Sequence, residues 1–137
     1  MPSKCNRGVV LEVNLDPSVG SEYMKTRPCL VVQSDLLNKY SRVTVVSPIT
    51  GAENIKTRGP TYVPISKGEG GLPKDSLVVC HHLRTVDESR LGKVYGQVKP
   101  ETMRQVAAAL KIVLDLQEDP GPAVEPARAG ASLEESL

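Results

Sequence analysis

Every apolar run in the first hundred residues is short, and each is stopped within a few positions by a proline, a glycine or a polar residue. That pattern permits short strands and excludes long helices there. Residues 7–15 (RGVVLEVNL) form a β-type run ended by the Asp16-Pro17 turn signal. Residues 28–33 (PCLVVQ) are a short buried run. Residues 42–49 (RVTVVSPI) alternate and are rich in Val and Thr, with Pro48 marking an end or an edge. Residues 61–65 (TYVPI) read as an edge because of their proline. Residues 76–83 (SLVVCHHL) and 93–98 (KVYGQV) complete the set. Strands of this size and spacing predict a small, strongly bent antiparallel barrel or sandwich, mainly β with short helices added.

Helical signals are few and local. Ser34 can cap DLLNKY through its hydroxyl, and Asp87 can cap ESRLG, with Gly92 as the stop. The clearest helix starts at Pro100, followed by Glu101 at the positive end of the dipole. Met103, Val106, Ala107, Leu110, Val113 and Leu114 then recur at helical spacing, so an amphipathic helix is predicted to end near Leu116. Its stripe reads first as core packing and second as a dimer contact.

The core must be aliphatic, because Phe and Trp are absent and four Tyr are the only aromatics. Val, Leu, Ile and Ala suffice for one small core. No apolar stretch approaches the roughly 20 residues that cross a bilayer. Glu12 and Asn14 interrupt the run after Lys4 and Arg7, so no signal-peptide core is formed, and a cytoplasmic protein without membrane association is expected. Cys5, Cys29 and Cys80 are odd in number and widely spaced, which implies neither a disulfide framework nor a zinc site. Residues 118–137 hold five acids and one base, whereas residues 1–117 hold 16 bases and 11 acids. The segment 117–137 is rich in Pro and Gly and poor in apolar surface, so a folded domain over 1–117 and a disordered acidic tail over 118–137 are expected. A basic body suits a polyanionic partner, or is simply a solvated surface.

Three clusters can carry chemistry. The loop DPSVGSEYMKTRP (16–28) brings Glu22, Tyr23 and Arg27 onto a polar connection ahead of a strand. Arg27 precedes a proline, so its backbone is biased extended, and its fork can hold a phosphate bidentately or pair with Glu22 or Asp16. Ser47 and Thr50 offer hydroxyls at a strand terminus, either to a phosphate or as turn caps. Cys80-His81-His82 invites a metal reading, but on a strand neighbouring side chains face opposite ways, and these are the only histidines. No metal is therefore expected. A histidine near a phosphate is a proton-transfer candidate or a hydrogen-bonded structural group. No phosphate-loop, dinucleotide, zincin or nucleophile-elbow motif is present.

The ordered segments RGVVLEVNLDPSVGSE, KTRPCLVVQSDLLN, SPIT, KDSLVV, LRTVD, SRLGKV and ETMRQVAAALKIVL resemble the MazF/PemK family of toxins from toxin–antitoxin systems. The resemblance covers about residues 6–116. It implies an SH3-like barrel with a C-terminal helix, a homodimer, and metal-independent endoribonuclease activity on single-stranded RNA without a cofactor. It also implies a cognate antitoxin protein as partner. By position, Arg27 of TRP and Thr50 of PIT match the residues that the family uses in catalysis, and Glu22 of GSE lines the same site. His82 stands where such proteins usually carry Gln, and His81 where an acidic residue is usual.

The implied reaction is attack of the RNA's own 2′-hydroxyl on phosphorus, giving 2′,3′-cyclic phosphate and 5′-hydroxyl ends. Arg27 would stabilise the developing charge and Thr50 would donate to a non-bridging oxygen. Tyr23 is the expected stacking contact, and Lys56 and Arg58 in GAENIKTRGP (51–60) would close over the RNA or form an ordinary hairpin loop. Arg84, with His81 and His82, completes the expected RNA-binding set. Two other readings compete. A gyrase-poisoning toxin of the same fold relies on apolar and aromatic C-terminal residues, whereas this chain lacks Trp and ends in an acidic tail. A non-catalytic RNA-binding module is opposed by the presence of Arg27 and Thr50 and favoured by the changed pair His81 and His82.

Overall fold

The structure is a computed structural model that describes residues 5–116. Among them, strands β1 (Val9–Asn14), β2 (Thr26–Val31), β3 (Val43–Gly51), β4 (Tyr62–Ile65), β5 (Ser76–Val79), β6 (Arg84–Asp87) and β7 (Leu91–Gln97) form one antiparallel sheet. Helices α1 (Asp35–Asn38) and α2 (Pro100–Val113) complete the regular structure, with three short 3₁₀ turns. The tail expected over 118–137 lies outside the described residues.

β3 organises the sheet. Its first half pairs with β6 over Val43–Val46, its last residues pair with β5 over Ile49–Gly51, and its other side pairs with β2 over Val46–Pro48. Pro48 thus lies inside the strand, not at its end. A residue without an N–H is tolerated there because the β5 ladder begins only at Ile49. The hydrogen-bonded path runs β4-β5-β3-β2-β1-β7 and is strongly bent without closing. The turn Glu69–Gly71 fills the gap against β7: a Cβ built on Gly71 would stand 2.0 Å from the Tyr95 carbonyl oxygen.

Two elements differ from the sequence pattern. The strand expected over 76–83 stops at Val79, and a turn at Cys80–His82 leads directly into β6. Cys80, His81 and His82 include no turn-type residue, so periodicity alone gives no sign that the strand stops at Val79. Gly92 does not stop the Asp87-capped turn but lies within β7, where it faces Glu12 of β1. Both expected side-chain caps are present: Ser34 accepts from Leu36 N at 3.1 Å, and Asp87 accepts from Ser89 N at 2.9 Å.

The aliphatic core is divided by the sheet. Alternation along β1 sends Val10 to one cluster and Val9, Leu11 and Val13 to the other. On β2, Leu30 goes to the first, and Cys29 and Val31 to the second. Both faces of these central strands are buried, which is why their sequences read as continuous apolar runs. Val106 and Ala109 of α2 close the first cluster, with Met103, Leu110 and Val113 packed against it, whereas Leu114 is exposed. The helix start is fastened from a distance: Glu69 accepts from Lys99 N at 3.1 Å and from the Thr102 hydroxyl at 2.5 Å. No described helix is long and apolar enough to cross a membrane.

Gly71→Ala combines a positive φ of 73° with that backbone collision, and is expected to lower unfolding free energy by about 2 kcal/mol or more. Gly59→Ala, with open space around its Cβ, is the control. Urea unfolding of both variants is the measurement; equal midpoints would show that the turn does not need its glycine.

Candidate active site

The β2–β3 register determines what stands at the end of these strands. Paired residues run Val31 with Val46, Leu30 with Ser47, and Cys29 with Pro48. The ladder ends there, and just beyond it Arg27 reaches across to the Ile49 carbonyl, beside Thr50. Alternation then keeps both on the face of Cys29 and Val46, at the rim of the second apolar cluster. Both line one cleft of about 280 Å³ with Asn54, Lys74 and Ser76.

Arg27 is half-buried and forms no ion pair among the described residues. Its expected alternatives are engaged elsewhere: Asp16 accepts from Lys25 N at 2.8 Å, and Glu22 accepts from Val19 N at 2.6 Å. The guanidinium makes one long donation, Nη1 to the Ile49 carbonyl at 3.3 Å, and its buried Nε–H has no partner among the described residues. The remaining Nη donors are left for an anion. The Tyr23 ring supports it from below, 4.5 Å from the guanidinium carbon. Thr50 is 5% exposed, and its oxygen accepts from Asn54 Nδ2 at 3.0 Å, which leaves its own proton free to be donated. Lys74 adds a second positive charge, held at 2.5 Å by Glu53.

A second cavity of about 390 Å³ adjoins this cleft, lined by Leu15, Glu22, Tyr23, Pro48, both histidines and Arg84 among others. Arg84 is turned inward: its guanidinium donates to the carbonyls of Leu15 and, at 3.4 Å, Pro17. Arg90 does the same for Asn14 at 2.9 Å and Asp16 at 2.5 Å. These two arginines clamp the loop that carries Glu22 and Tyr23. The Ser18 hydroxyl lies 2.8 Å from the Leu15 carbonyl and 2.9 Å from that of Tyr23, and tightens the loop further. Arg84 is thus a structural clamp in the first place. Because His81 and His82 sit on a turn, not a strand, their rings are neighbours, with centroids 4.7 Å apart.

The remaining expected residues fall away from the pair. Ser47 is completely buried and lines neither cavity, since alternation points it at the opposite face from Thr50. Arg58 donates to the Ala52 carbonyl at 3.1 Å and lines a third recess beside β4. Lys56 is exposed and lines none of these recesses. Sequence reasoning missed Asn54 and Lys74. The only signal for Asn54 is its spacing: four residues beyond Thr50, on a tight turn, an amide can reach back to the hydroxyl. Lys74 comes from the β4–β5 connection and carries no local signal.

Two electrostatic features follow from burial. The Cys29 thiol, beneath Arg27 and Arg84, is pushed up to about 12 by burial, against the pull of both arginines, and Cys80 is pushed up to about 11 by burial. Both stay protonated and unreactive at neutral pH. The His82 imidazole is lowered below its ordinary range by burial and by His81, with Glu22 opposing. It is therefore neutral at pH 7. Among the described residues, no three His, Cys, Asp or Glu side chains gather as a metal site.

Residues 6–114 match the family described as PemK-like, MazF-like toxin of type II toxin-antitoxin system. A Staphylococcus saprophyticus protein named endoribonuclease MazF is 38% identical over 110 residues, covering 80% of this chain and 91% of that one. The Mycobacterium tuberculosis toxin MazF-mt6 is similar in structure, with TM-score 0.66 and 25% identity over 80% of this chain and 99% of that one. MazF of Deinococcus radiodurans shares the fold, with TM-score 0.69 and 21% identity over 81% and 96% of the two chains. So does a mycobacterial endoribonuclease solved with its cognate antitoxin, with TM-score 0.68 and 24% identity over 83% of this chain and 98% of that one.

In a ring-proton NMR titration, the His82 midpoint is expected below the ordinary histidine value of about 6.5. Because folding favours the neutral ring, the linked stability is complete above pH 6.5 and declines as pH falls through that range. Thermal unfolding of wild type and His82→Phe between pH 5 and 7 reads this term. Parallel pH profiles for the two proteins would show that the ring is not linked to folding.

Proposed function

The chain belongs to the PemK-like, MazF-like toxin family of type II toxin–antitoxin systems, and from that premise we propose that it is an endoribonuclease whose Arg27–Thr50 cleft cleaves single-stranded RNA. The observation that carries this reading is the opposition of a half-engaged guanidinium and a proton-donating hydroxyl across β2 and β3.

The scissile phosphate lies between them. The 2′-oxygen of the preceding ribose attacks phosphorus, and the bond from phosphorus to the 5′-oxygen breaks. The 2′-hydroxyl proton is lost and one is gained by the departing oxygen, so the products are a 2′,3′-cyclic phosphate and a 5′-hydroxyl with no water consumed. Negative charge grows on the non-bridging oxygens during attack. Arg27 meets that charge with several N–H donors held in place by the Tyr23 ring and by β2. Thr50 donates one further hydrogen bond, with its oxygen oriented by Asn54. Lys74 lines the same cleft, with its charge offset by the Glu53 carboxylate 2.5 Å away. The chain's own groups therefore supply the charge stabilisation, and no step requires a metal ion.

The protein acts as a homodimer in the cytoplasm, where messenger RNA is its target. A cognate antitoxin neutralises it by covering the same positively charged cleft.

Purified protein is expected to cut single-stranded RNA in EDTA and to leave 2′,3′-cyclic phosphate ends; RNA left intact would overturn the proposal. Arg27→Ala is expected to lower kcat by about a hundredfold or more, and Arg27→Lys not to restore it, because a point charge cannot reproduce the fork. Thr50→Ala and Asn54→Ala are expected to lose about tenfold each, as single hydrogen bonds to or behind the reacting phosphate do. A single 2′-deoxy substitution at the cut site should stop the reaction.

A further inference from the structure

One wall of the Arg27–Thr50 cleft carries two opposite charges on the continuation of β3 and β5. The last rung of that ladder pairs Gly51 with Ser76. One step outwards, the Ala52 N–H donates to the Asp75 carbonyl at 2.9 Å. Glu53 and Lys74 come next, so both are mounted on backbone that is fastened together. Lys74 Nζ meets a Glu53 carboxylate oxygen at 2.5 Å. That hydrogen bond holds the Glu53 carboxyl below its ordinary range, so it is ionised at neutral pH. The carboxylate is folded back over the chain, where a Cβ built on Gly51 would overlap both of its oxygens. It thus occupies the space that a side chain at residue 51 would fill.

The pair is built to be exchanged. Both side chains are more than half exposed, at 58% and 57%. Such a pair is weak, because water competes for both partners and two long side chains must be held still. It also stands where a strand has to lie. Lys74 lines the 280 Å³ cleft with Arg27, Thr50 and Asn54, and the turn Ala52–Asn54 that bears Glu53 also bears the amide behind the Thr50 hydroxyl. A carboxylate and a phosphodiester each present one negative charge on two oxygens. The ammonium of Lys74 is a point charge, so it can trade one oxyanion for another without the planar fit that a guanidinium demands. We propose that Lys74 binds the RNA phosphate next to the scissile one, and that the Glu53 carboxylate stands in for that phosphate in the free protein. When a strand enters, Nζ passes from the carboxylate to the phosphate and the carboxylate turns to water. Glu53 stays close enough to repel the strand, so it costs affinity. Lys74 is a binding residue and Glu53 its displaceable counter-ion.

The inference rests on the nuclease reading for the place of the scissile phosphate, but its test reads binding. Fluorescence anisotropy of a labelled 2′-fluoro RNA strand, which lacks the nucleophile, gives the affinity between about 50 and 200 mM salt. Lys74→Ala is expected to weaken binding about fivefold at the lower salt. It should also flatten the slope of log affinity against log salt by about 0.7, the share of one phosphate contact on a single strand. Glu53→Gln is expected to tighten binding about threefold at the lower salt, with a smaller gain at the higher. In the Lys74→Ala background that gain should vanish, because the two residues act as one pair. Thermal midpoints of the three variants check that the fold is kept. Weaker binding by Glu53→Gln would make the carboxylate a support for Lys74 and overturn the inference. A gain that persists without Lys74 would reduce Glu53 to general repulsion and also overturn it. Wild-type protein that cleaves RNA while Lys74→Ala leaves affinity and salt slope unchanged would overturn this inference alone. The expected responses without any cleavage of ordinary RNA would overturn the nuclease reading alone, and no binding by the wild type would overturn both.

Discussion

The antiparallel pairing of β2 with β3 is the constraint on which the site depends. Once Val31 faces Val46, the strand ends that follow carry Arg27 and Thr50 to one cleft. Slipping the register by one residue would turn Thr50 into the interior and bring buried Ser47 to the rim. The slip is prevented by burial on both faces: Leu30 and Ile49 belong to one apolar cluster, and Cys29, Val31 and Val46 to the other. A shift would exchange the two sets against cavities of different shape. The core therefore positions the chemistry although no core residue takes part in it.

A second layer of order comes from arginines that hold loop backbone. Arg84 and Arg90, on β6 and on the turn after it, satisfy carbonyls of residues 14–17, where the loop leaves β1. That loop carries Glu22 and Tyr23, and Tyr23 in turn supports Arg27. Stiffness at a loop site usually has to come from its surroundings, because loop backbone has few partners of its own. Here it comes from guanidinium forks, whose several donors can hold more than one carbonyl at once.

Much of the architecture was legible in the sequence because strand and helix signals are local. Both side-chain caps at Ser34 and Asp87, the proline-led helix at residue 100 and the edge character of the strand around Pro64 followed from residue type and spacing. Failures came where a signal was too short or depended on a distant partner. RTVD is four residues long and looks like nothing in isolation, and it is a strand only because β3 offers it an open edge. Pro48 reads as a terminus until the change of partner along β3 is known. The helix start is capped by Glu69, thirty residues upstream of Lys99, which no local motif can reveal.

Among the site residues, the division follows the same line. Arg27, Thr50 and the loop with Glu22 and Tyr23 carry their chemistry in their side chains, so a sequence read alone could nominate them. Whether a hydroxyl is useful depends on which way it faces, and that placed Ser47 in the interior and Thr50 at the cleft. Whether an arginine is available depends on what already accepts its hydrogen bonds, and that separated Arg27 from Arg84. Residue order determined the list of able groups and the short elements that bear them. Only the tertiary structure decided which of those groups share one cleft, because orientation, burial and the occupancy of donors are set by segments far apart in the chain.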